Sequence, residues 1–425
     1  MIVELINTGS ELMLGRVLNT HQQWLCRQFA DRGYIVARQV AVADTASDIT
    51  GAVREALARA DLVVTTGGLG PTSDDLTREA IAELLGRSLR EDPALVAHIE
   101  QFFAARKRRA PARTRVQALV PHGALVLPNP HGTAPGLVME VSPNPFRAGG
   151  ATSWLVMLPG PPRELRPMFL EAVVPWLERT LPAREPWACC TLRTTGIGES
   201  AAQERLEPAL AALVARGLEI GYCARPSQVD VRLAARGPDA HRCVAEAKAI
   251  VSEQLGPFLY GVEDDELEAV LVRLLTERRR TLALAESCTG GCLAHRLTNV
   301  PGASAVLRAG IVAYANDAKE IFLGVRPETL AQHGAVSEPT AREMAEGARL
   351  RAKADFALAI TGIAGPSGGT PEKPVGTAFI ALATPQAIRV LRVFNPLDRE
   401  TFKQVTSSQA LDLLRRELLG LPAPA

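Results

Sequence analysis

The chain has few aromatic residues and no excess of either charge. Phe, Trp and Tyr make up 4% of the 425 residues, so its hydrophobic cores must be built mainly from Ala, Leu and Val. The 47 Lys and Arg residues are balanced by 46 Asp and Glu residues. This balance leaves no overall electrostatic field to attract nucleic acid or an anionic membrane. We therefore expect neither of them as a partner.

The sequence also lacks paired cysteines, a signal-peptide-like start and long apolar segments. Its seven cysteines are an odd number and form no C-x-x-C pair, which favours a reduced, cytoplasmic location. The first residues, "MIVELINTGSELMLG", show neither the basic region nor the apolar core of a signal peptide. Charge or proline interrupts each apolar run before about 18 residues, so we expect no transmembrane helix.

The order of apolar and amphipathic segments predicts an α/β fold with three domains. Strand-like and helix-like segments alternate over residues 1–181 and again over 262–420, as in parallel-rich sheets covered by helices. Between these two α/β domains, residues 189–260 predict a small α+β module. In this module the stretch "LEIGYCARPSQVDVRLAARG" is interpreted as a single strand.

The stretch "LALAESCTGG", residues 282–291, predicts a buried strand followed by a tight turn and a helix. Two potential nucleophiles, Ser287 and Cys288, lie side by side in the turn. The backbone N–H groups at a helix start suit an oxyanion or a phosphate. A purely structural alternative is that Ser or Thr caps the helix, which contributes about 1 kcal/mol without any chemistry.

Two further segments supply a possible base and a possible anion-binding loop. Lys319 follows the next apolar strand, and a desolvated lysine can take a proton from a serine. Tyr314, five positions earlier, is a candidate for a proton relay. A third strand ends in a glycine-containing loop whose backbone can approach an anion closely; its candidate residues are Thr361, Gly362, Ala364 and Gly365. A plain structural turn is the alternative for this loop.

The first domain contains a comparable strand-to-loop segment, "TTGGLGPTSDD", residues 65–75. The loop residues Gly67, Gly68, Gly70 and Thr72 are candidates for phosphate binding. Asp74 and Asp75 are candidates for a hydrated divalent cation, which prefers a few carboxylates together with phosphate oxygens. The alternative is that Ser73 or Asp74 caps the next helix and Asp75 complements its dipole.

Several long motifs of the C-terminal region occur in one order: "AESCTGG", "GIVAYAN..K", "HGAVSEPTAREMAEGA" and "TGIAGPSGG...KPVGTAFIAL". Over residues 262–416 this pattern resembles the CinA C-terminal domain, whose characterised members are nicotinamide mononucleotide amidohydrolases. The resemblance implies a nucleophile at Ser287, its base at Lys319 and an auxiliary tyrosine at Tyr314, with no cofactor. It further implies substrate contacts from the turn, the loop and the tail, at Thr289, Gly290, Gly291, Thr361, Gly362, Ala364, Gly365 and Arg399. Backbone N–H groups around Thr289 and Gly290 are expected to stabilise the oxyanion, and Lys403 stands where the family pattern has a second arginine.

Residues 1 to about 170 resemble the molybdopterin-binding domain family, in the version fused to CinA C-terminal domains. The motifs are "TGSELMLGRVLNTH", the glycine segment above and "NPHGTAPGL...MLPGPPRE". The resemblance implies ADP-ribose pyrophosphatase activity with Mg, Mn or Co held by Asp74, Asp75 and Glu11, or molybdopterin binding instead. His21 stands at a position where the family pattern has an asparagine.

The middle block resembles the KH-like module of CinA proteins, and the resemblance also implies a homodimer. The rival hypothesis is an accessory protein in competence or DNA damage that acts by binding partners.

Overall fold

The computed structural model describes residues 1–183 and 185–423, and it divides into two compact units, Met1–Ala188 and Cys189–Ala425. Both units combine helices with β-sheets, and the two larger sheets are rich in parallel pairs. The α/β class predicted from the sequence is confirmed. Among the described residues, no helix combines the length and the apolar character that crossing a membrane requires.

The first unit is built around a six-stranded sheet in the order β2-β1-β3-β8-β7-β6. Strands β2, β1, β3 and β8 are parallel, whereas β7 and β6 run antiparallel to their neighbours. The strands, including a separate β4–β5 pair, are β1 (Ile2–Thr8), β2 (Ile35–Val42), β3 (Leu62–Thr66), β4 (Leu89–Glu91), β5 (Leu119–Pro121), β6 (Leu125–Leu127), β7 (Gly136–Val141) and β8 (Ser153–Leu158). The α-helices are α1 (Ser10–Met13), α2 (Thr20–Ala30), α3 (Ala46–Leu57), α4 (Thr77–Leu84), α5 (Pro93–Ala104), α6 (Pro162–Met168) and α7 (Val174–Thr180).

Alternating side chains place a hydrophobic core on each face of this sheet. On β1, Val3 and Leu5 pack with α2 and α7 on one face, while Ile6 packs with α3 and α4 on the other. This period of two follows from the pleat of a strand. A π-helical turn at Phe169–Val173 connects α6 to α7.

The second unit begins with the small module. Its sheet has the order β10-β11-β9-β12 and contains β9 (Trp187–Thr195), β10 (Glu219–Arg225), β11 (Gln228–Arg236) and β12 (Leu259–Val262). Two helices, α8 (Glu199–Val214) and α9 (Ala240–Leu255), complete it. The single strand predicted over 218–237 is wrong, because the chain turns between Arg225 and Gln228 and forms the antiparallel hairpin β10–β11.

The rest of the second unit is a five-stranded sheet in the order β14-β13-β15-β16-β17. The first three of these strands are parallel and the last two antiparallel. The strands are β13 (Leu282–Glu286), β14 (Leu307–Val312), β15 (Phe356–Gly362), β16 (Thr377–Ala383) and β17 (Ile388–Phe394). The α-helices are α10 (Leu267–Glu277), α11 (Cys292–Thr298), α12 (Asn316–Ala318), α13 (Pro327–His333), α14 (Glu338–Ala352) and α15 (Arg399–Leu419). Small side chains on one face of β13, Ala283 and Ala285, allow α14 to pack closely there, while Leu282 and Leu284 face α15.

Candidate active sites

The predicted site segments of the second unit meet at one edge of its sheet. Strands β14, β13 and β15 are parallel neighbours, so the loops that follow them lie side by side. Such carboxyl-end loops are where α/β sheets bind ligands. Ser287 follows β13, Tyr314 follows β14, and Gly365 follows β15.

The turn after β13 is fixed by backbone hydrogen bonds. The Ser287 N–H donates to the Ile360 carbonyl at 2.9 Å, and the Gly290 N–H donates to the Ser287 carbonyl at 3.0 Å. Gly290 and Gly291 have φ of +60° and +92°, the left-handed region that glycine adopts at little cost. Ser287 is 8% exposed, and its hydroxyl has no hydrogen-bond partner within residues 1–183 and 185–423.

The helix after this turn is capped by a carboxylate. Glu286 accepts hydrogen bonds from the N–H groups of Gly291 at 3.1 Å, Leu293 at 3.1 Å and Ala294 at 2.8 Å. Helix α11 begins only at Cys292 and has no side-chain cap from its N-cap residue. The interpretation of Ser287 as a helix cap is therefore wrong, and its hydroxyl is left available for chemistry.

Two backbone donors next to Ser287 are not used by the fold. The N–H groups of Cys288 and Thr289 donate to no other residue that the structure describes. The Gly290 N–H, which we expect from the sequence to be an oxyanion donor, donates to the Ser287 carbonyl instead. The Thr289 hydroxyl is also buried without a hydrogen-bond partner in the described chain.

Lys319 is buried beside these groups. It is 1% exposed, and its Nζ donates to the carbonyls of Ala313 and Tyr314, each at 3.0 Å, and of Ala315 at 3.4 Å. Burial lowers the pKa of Lys319, an effect that the nearby Cys288 thiol partly opposes. A lysine with a lowered pKa is neutral over a wider pH range and can accept a proton there.

Cys288 is held in the form that is least reactive as a nucleophile. Burial, followed by the charge of Glu286, raises the pKa of the Cys288 thiol to about 12, although Lys319 and Arg399 act in the opposite direction. The thiolate is the nucleophilic form of cysteine. The thiol is therefore almost fully protonated at neutral pH, and this favours Ser287 of the two neighbours.

Arg399, the first residue of α15, connects two of the predicted segments. It donates to the Tyr314 hydroxyl at 2.7 Å and to the Gly365 carbonyl at 2.8 Å. One helical turn further, the Lys403 Nζ lies 3.9 Å from the place that a Cβ on Gly290 would occupy. The start of α15 thus adds two cations to the edge that carries Ser287.

The other predicted residues of the loop after β15 lie at the point where the strand passes into the loop. Gly362 ends β15, and Ala364 is buried in the core cluster on the α15 side of the sheet. Thr361 is fully buried, and its hydroxyl donates to the Ala335 carbonyl at 2.8 Å. Its side chain therefore holds the loop in place, so any contact with a ligand falls to the backbone.

In the first unit, a cavity of about 390 Å³ gathers the predicted N-terminal residues except Thr72, which lies outside its lining. Its walls include Glu11, Gly67, Gly68, Gly70, Asp74 and Asp75. The Thr72 N–H donates to the Asp75 carboxylate at 2.9 Å, and the Thr72 hydroxyl donates to the same oxygen. Hydrogen bonding from Thr72 lowers the pKa of Asp74, with a smaller contribution from Arg113.

Neither Ser73 nor Asp74 caps the following helix. Helix α4 begins at Thr77, and its N-cap residue Leu76 supplies no side-chain hydrogen bond. The capping interpretation of this segment is wrong, because Ser73 and Asp74 lie four and three positions before the first helical residue, Thr77. Asp74 and Asp75 belong to the loop and border the cavity instead.

The same cavity has walls that the sequence did not indicate. Asp44, Gln117 and Glu164 line it, although they come from widely separated parts of the chain. Gln117 is 2% exposed, and its Oε1 has no hydrogen-bond partner among the described residues. His21, which replaces the expected asparagine, contacts the carbonyl of the cavity residue Gly160, and burial lowers its pKa.

The carboxylates of this cavity do not form a closed metal cage. In the described parts of the chain, no three His, Cys, Asp or Glu side chains are grouped so that they could hold a metal ion. Mg²⁺ commonly uses only one or two carboxylates and completes its shell with water and substrate phosphates. The carboxylate oxygens of the cavity fit a divalent cation that binds together with a phosphorylated ligand. The metal ion itself stays a prediction.

Comparison with known proteins assigns each part of the chain to a domain family. Residues 4–179 match the family described as "Probable molybdopterin binding domain", residues 190–261 match the Damage-inducible protein CinA KH domain, and residues 264–418 match the CinA C-terminal domain. Among solved structures, the competence/damage inducible protein CihA from Agrobacterium tumefaciens is 41% identical. That comparison covers 36% of this chain and 97% of that one, with a TM-score of 0.34.

Two relatives align with the chain over nearly its whole length. A competence-damage inducible relative from Symbiobacterium thermophilum is 45% identical over 433 residues, covering 99% of each chain. A CinA-like protein from Gemmatimonas aurantiaca is 42% identical over 421 residues, covering 98% of this chain and 96% of the relative. The chain therefore belongs to the CinA family.

Proposed function

We propose that the C-terminal domain hydrolyses the carboxamide of nicotinamide mononucleotide and yields nicotinate mononucleotide and ammonia. The observation that carries this proposal is a nearly buried Ser287 hydroxyl without a described hydrogen-bond partner, next to Cys288, whose pKa is affected by the buried Lys319 of lowered pKa. The adjacent thiol, with a pKa raised to about 12, is unsuited to the same task. A serine next to a neutral amine is a known nucleophile-and-base arrangement.

The reaction proceeds through an acyl-enzyme. The Ser287 Oγ attacks the carboxamide carbon while Lys319 takes the hydroxyl proton. The N–H groups of Cys288 and Thr289 face the oxyanion that forms, and one such donor contributes about 10²–10³ in rate. Lys319 then returns the proton to the leaving nitrogen as ammonia departs. A water molecule, activated by the same amine, cleaves the ester and releases the carboxylate.

Lys319 must exchange one of its hydrogen-bond partners before it can take the proton of the Ser287 hydroxyl. Its three hydrogen bonds to backbone carbonyls occupy the ammonium protons, and none of its bonds reaches the Ser287 hydroxyl. Hydrogen bonds at catalytic groups often tighten only when the substrate is bound. We expect the bond to the Ala315 carbonyl, the longest at 3.4 Å, to be the one that is exchanged.

The cations at the start of α15 suit the phosphate of the mononucleotide. Lys403 Nζ lies near Gly290, and Arg399 is held by Tyr314 and Gly365. A lysine binds phosphate as a point charge, without the bidentate contact of an arginine. The proposal predicts that the enzyme prefers nicotinamide mononucleotide to nicotinamide riboside, which lacks the phosphate.

Ammonia release from these two compounds tests the proposal. We expect release from the mononucleotide by the wild-type chain, and at least tenfold lower kcat/KM with the riboside. Absence of ammonia release by a folded wild-type chain would favour the rival function, an accessory protein of competence or DNA damage that acts through its partners. Equal kcat/KM for both compounds would contradict the assigned phosphate contact.

We also propose that the first unit cleaves ADP-ribose into AMP and ribose 5-phosphate with the help of a divalent metal ion. Glycine N–H groups and a carboxylate-lined cavity of about 390 Å³ support this proposal. A metal ion bound there with the substrate would neutralise the pyrophosphate charge. Molybdopterin binding at the same cavity is the alternative. A cytoplasmic location and a homodimer stay predictions.

Asp74→Asn tests the N-terminal site at an exposed position and leaves in place Asp75, which accepts the N–H and hydroxyl hydrogen bonds of Thr72. Loss of the carboxylate charge should lower metal-dependent ADP-ribose cleavage about 10- to 100-fold, measured as AMP formed with Mg²⁺, Mn²⁺ or Co²⁺. Asp239→Asn, a surface change in the other unit, is the matched control. Unchanged cleavage by Asp74→Asn would show that the site is assigned wrongly.

A further inference from the structure

A cavity in the second unit lies between the small module and the C-terminal sheet, and it is separate from Ser287. Its volume is about 910 Å³, which falls within the range of about 300–1,000 Å³ typical of small-molecule sites. The module contributes the loop after β9, the start of α8 and the β10–β11 turn. The C-terminal domain contributes β17 and one face of α15. None of the residues that surround Ser287 takes part.

The charged lining of this cavity is mainly basic. Four arginines line it against two carboxylates, Glu199 and Asp412. Asp412 is neutralised by hydrogen bonds from Arg415 and Arg416, each at 2.7 Å. The other lining arginines are Arg205, Arg225 and Arg392.

Two of the lining arginines have no carboxylate partner in the part of the chain that the structure describes. Arg225 is paired with Asp230 and Glu266. Arg205 forms no ion pair with any described residue, and Arg392 donates only to the Glu372 carbonyl, at 3.0 Å. An anion in the cavity would therefore meet two uncompensated cations, which offset the single free carboxylate of Glu199.

The loop and helix start on the module side add backbone donors to these cations. Helix α8 has 16 residues, and its N-cap Gly198 offers no side chain to its first N–H groups. Gly196 adopts φ of +74°, and a Cβ at this position would lie within 4 Å of Arg416, Asp412 and Phe258. The first N–H groups of a helix and its dipole favour a phosphate, and Arg205 lies two turns further along the same helix.

Another part of the wall is apolar and includes one aromatic ring. Phe258 has the Arg205 guanidinium 5.2 Å and the Arg416 guanidinium 5.6 Å from its ring centre. Aliphatic side chains complete this wall; they are Ile197, Val229, Leu391, Val393 and Val405. A planar apolar group can bury its faces here while a negatively charged group reaches the start of α8.

We propose that this cavity binds a nucleoside monophosphate as a second ligand, distinct from the substrates proposed above. Its phosphate lies near the start of α8 between Arg205 and Arg392, and its base packs against the apolar wall. The proposal does not rest on either proposed activity, because it uses none of their residues.

Hydrogen exchange of the full chain, titrated with AMP, tests this proposal because it reports each site separately. We expect protection of residues 195–205 and 405–416 that saturates with increasing AMP. Adenosine alone and inorganic phosphate alone should each need at least tenfold higher concentrations. Protection confined to residues 67–75, the N-terminal cavity, would overturn the proposal, as would no protection at millimolar AMP.

The double variant Arg205→Ala/Arg392→Ala tests the proposed position of the phosphate. Both side chains are exposed, so we expect the fold to be retained. The AMP concentration that protects 195–205 should rise at least tenfold. Arg242→Ala, a surface change on α9 outside the cavity, should leave it unchanged. An unchanged midpoint in the double variant would contradict the assigned phosphate position.

Discussion

At the scale of single residues, two adjacent nucleophiles of the second unit differ sharply in their surroundings. Cys288 is buried, and its pKa is raised to about 12, whereas the Ser287 hydroxyl is free of hydrogen bonds in the described chain. Lys319 lies close enough to Cys288 for their charges to affect each other. These differences arise from burial and neighbouring groups, so residue type alone could not reveal them.

Lys319→Met removes the base while it retains most of the buried volume. We expect kcat for ammonia release to fall about 10²–10⁴-fold, the usual contribution of acid–base catalysis. The carbonyls of Ala313, Tyr314 and Ala315 lose their donor, so thermal unfolding must be measured alongside to show that the variant is folded. A folded variant with wild-type kcat would exclude Lys319 as the base.

The pH dependence of the wild type gives a second check on Lys319. Its folded pKa is lowered by burial, so the neutral, proton-accepting form gains population as pH rises through that value. The rate should therefore rise with pH and level off below the ordinary lysine pKa of about 10.4. A reaction rate that rises only at or above the ordinary lysine pKa would contradict the role of burial.

At the scale of elements, the start of α11 shows how a carboxylate leaves the serine free. Glu286 is 1% exposed and accepts three backbone N–H groups at the helix start. A serine cap would have used the Ser287 hydroxyl for the same purpose. The last residue of β13 therefore shapes the turn that presents the nucleophile.

Glu286→Gln tests this capping role. The amide keeps the shape of the side chain, but its NH₂ group faces backbone donors that it cannot satisfy. Hydrogen bonds to charged groups contribute about 1.5–3 kcal/mol each, so we expect the free energy of unfolding to fall by about 2 kcal/mol in urea titrations. Glu338→Gln, at an exposed position of α14, should change it by less than about 1 kcal/mol. Equal stability of Glu286→Gln and wild type would contradict the capping role.

The sequence predicted the strands and turns that carry the sites better than the hairpin of the small module and the tertiary contacts of the N-terminal cavity. Strand ends at Glu286 and Thr66 could be predicted, because apolar runs stop there at glycine-rich turns. The β10–β11 hairpin was missed because only two residues, Pro226 and Ser227, separate its strands and neither is a glycine. Gln117 and Glu164 could not be found, since the tertiary fold alone brings them to the N-terminal cavity.

At the scale of the whole molecule, the last helix joins the C-terminal domain to the small module within the second unit. Arg415 on α15 is 1% exposed and donates to the carbonyls of Leu259 and Pro257 at 2.9 and 2.8 Å. It also donates to Asp412. The same helix carries Arg399 at its other end, so one element connects the module with the edge of Ser287.

Arg415→Leu tests the strength of this connection. Breaking a buried ion pair by removing one partner costs about 3–5 kcal/mol. Because Asp412 keeps its bond to Arg416, we expect a loss near the lower value, about 3 kcal/mol, in the unfolding of the second unit. Arg389→Leu, which breaks the more exposed pair with Glu417, should cost less than about 1 kcal/mol. Equal losses in the two variants would contradict the proposed junction.

The most direct test of the central claim compares Ser287→Ala with Cys288→Ala in ammonia release from nicotinamide mononucleotide. If Ser287 is the nucleophile, its removal should lower kcat by about 10³-fold or more. Cys288→Ala should retain activity within about tenfold of wild type, because its thiol is protonated. Wild-type release by Ser287→Ala, or loss of release in Cys288→Ala alone, would contradict the assignment of Ser287 as the nucleophile.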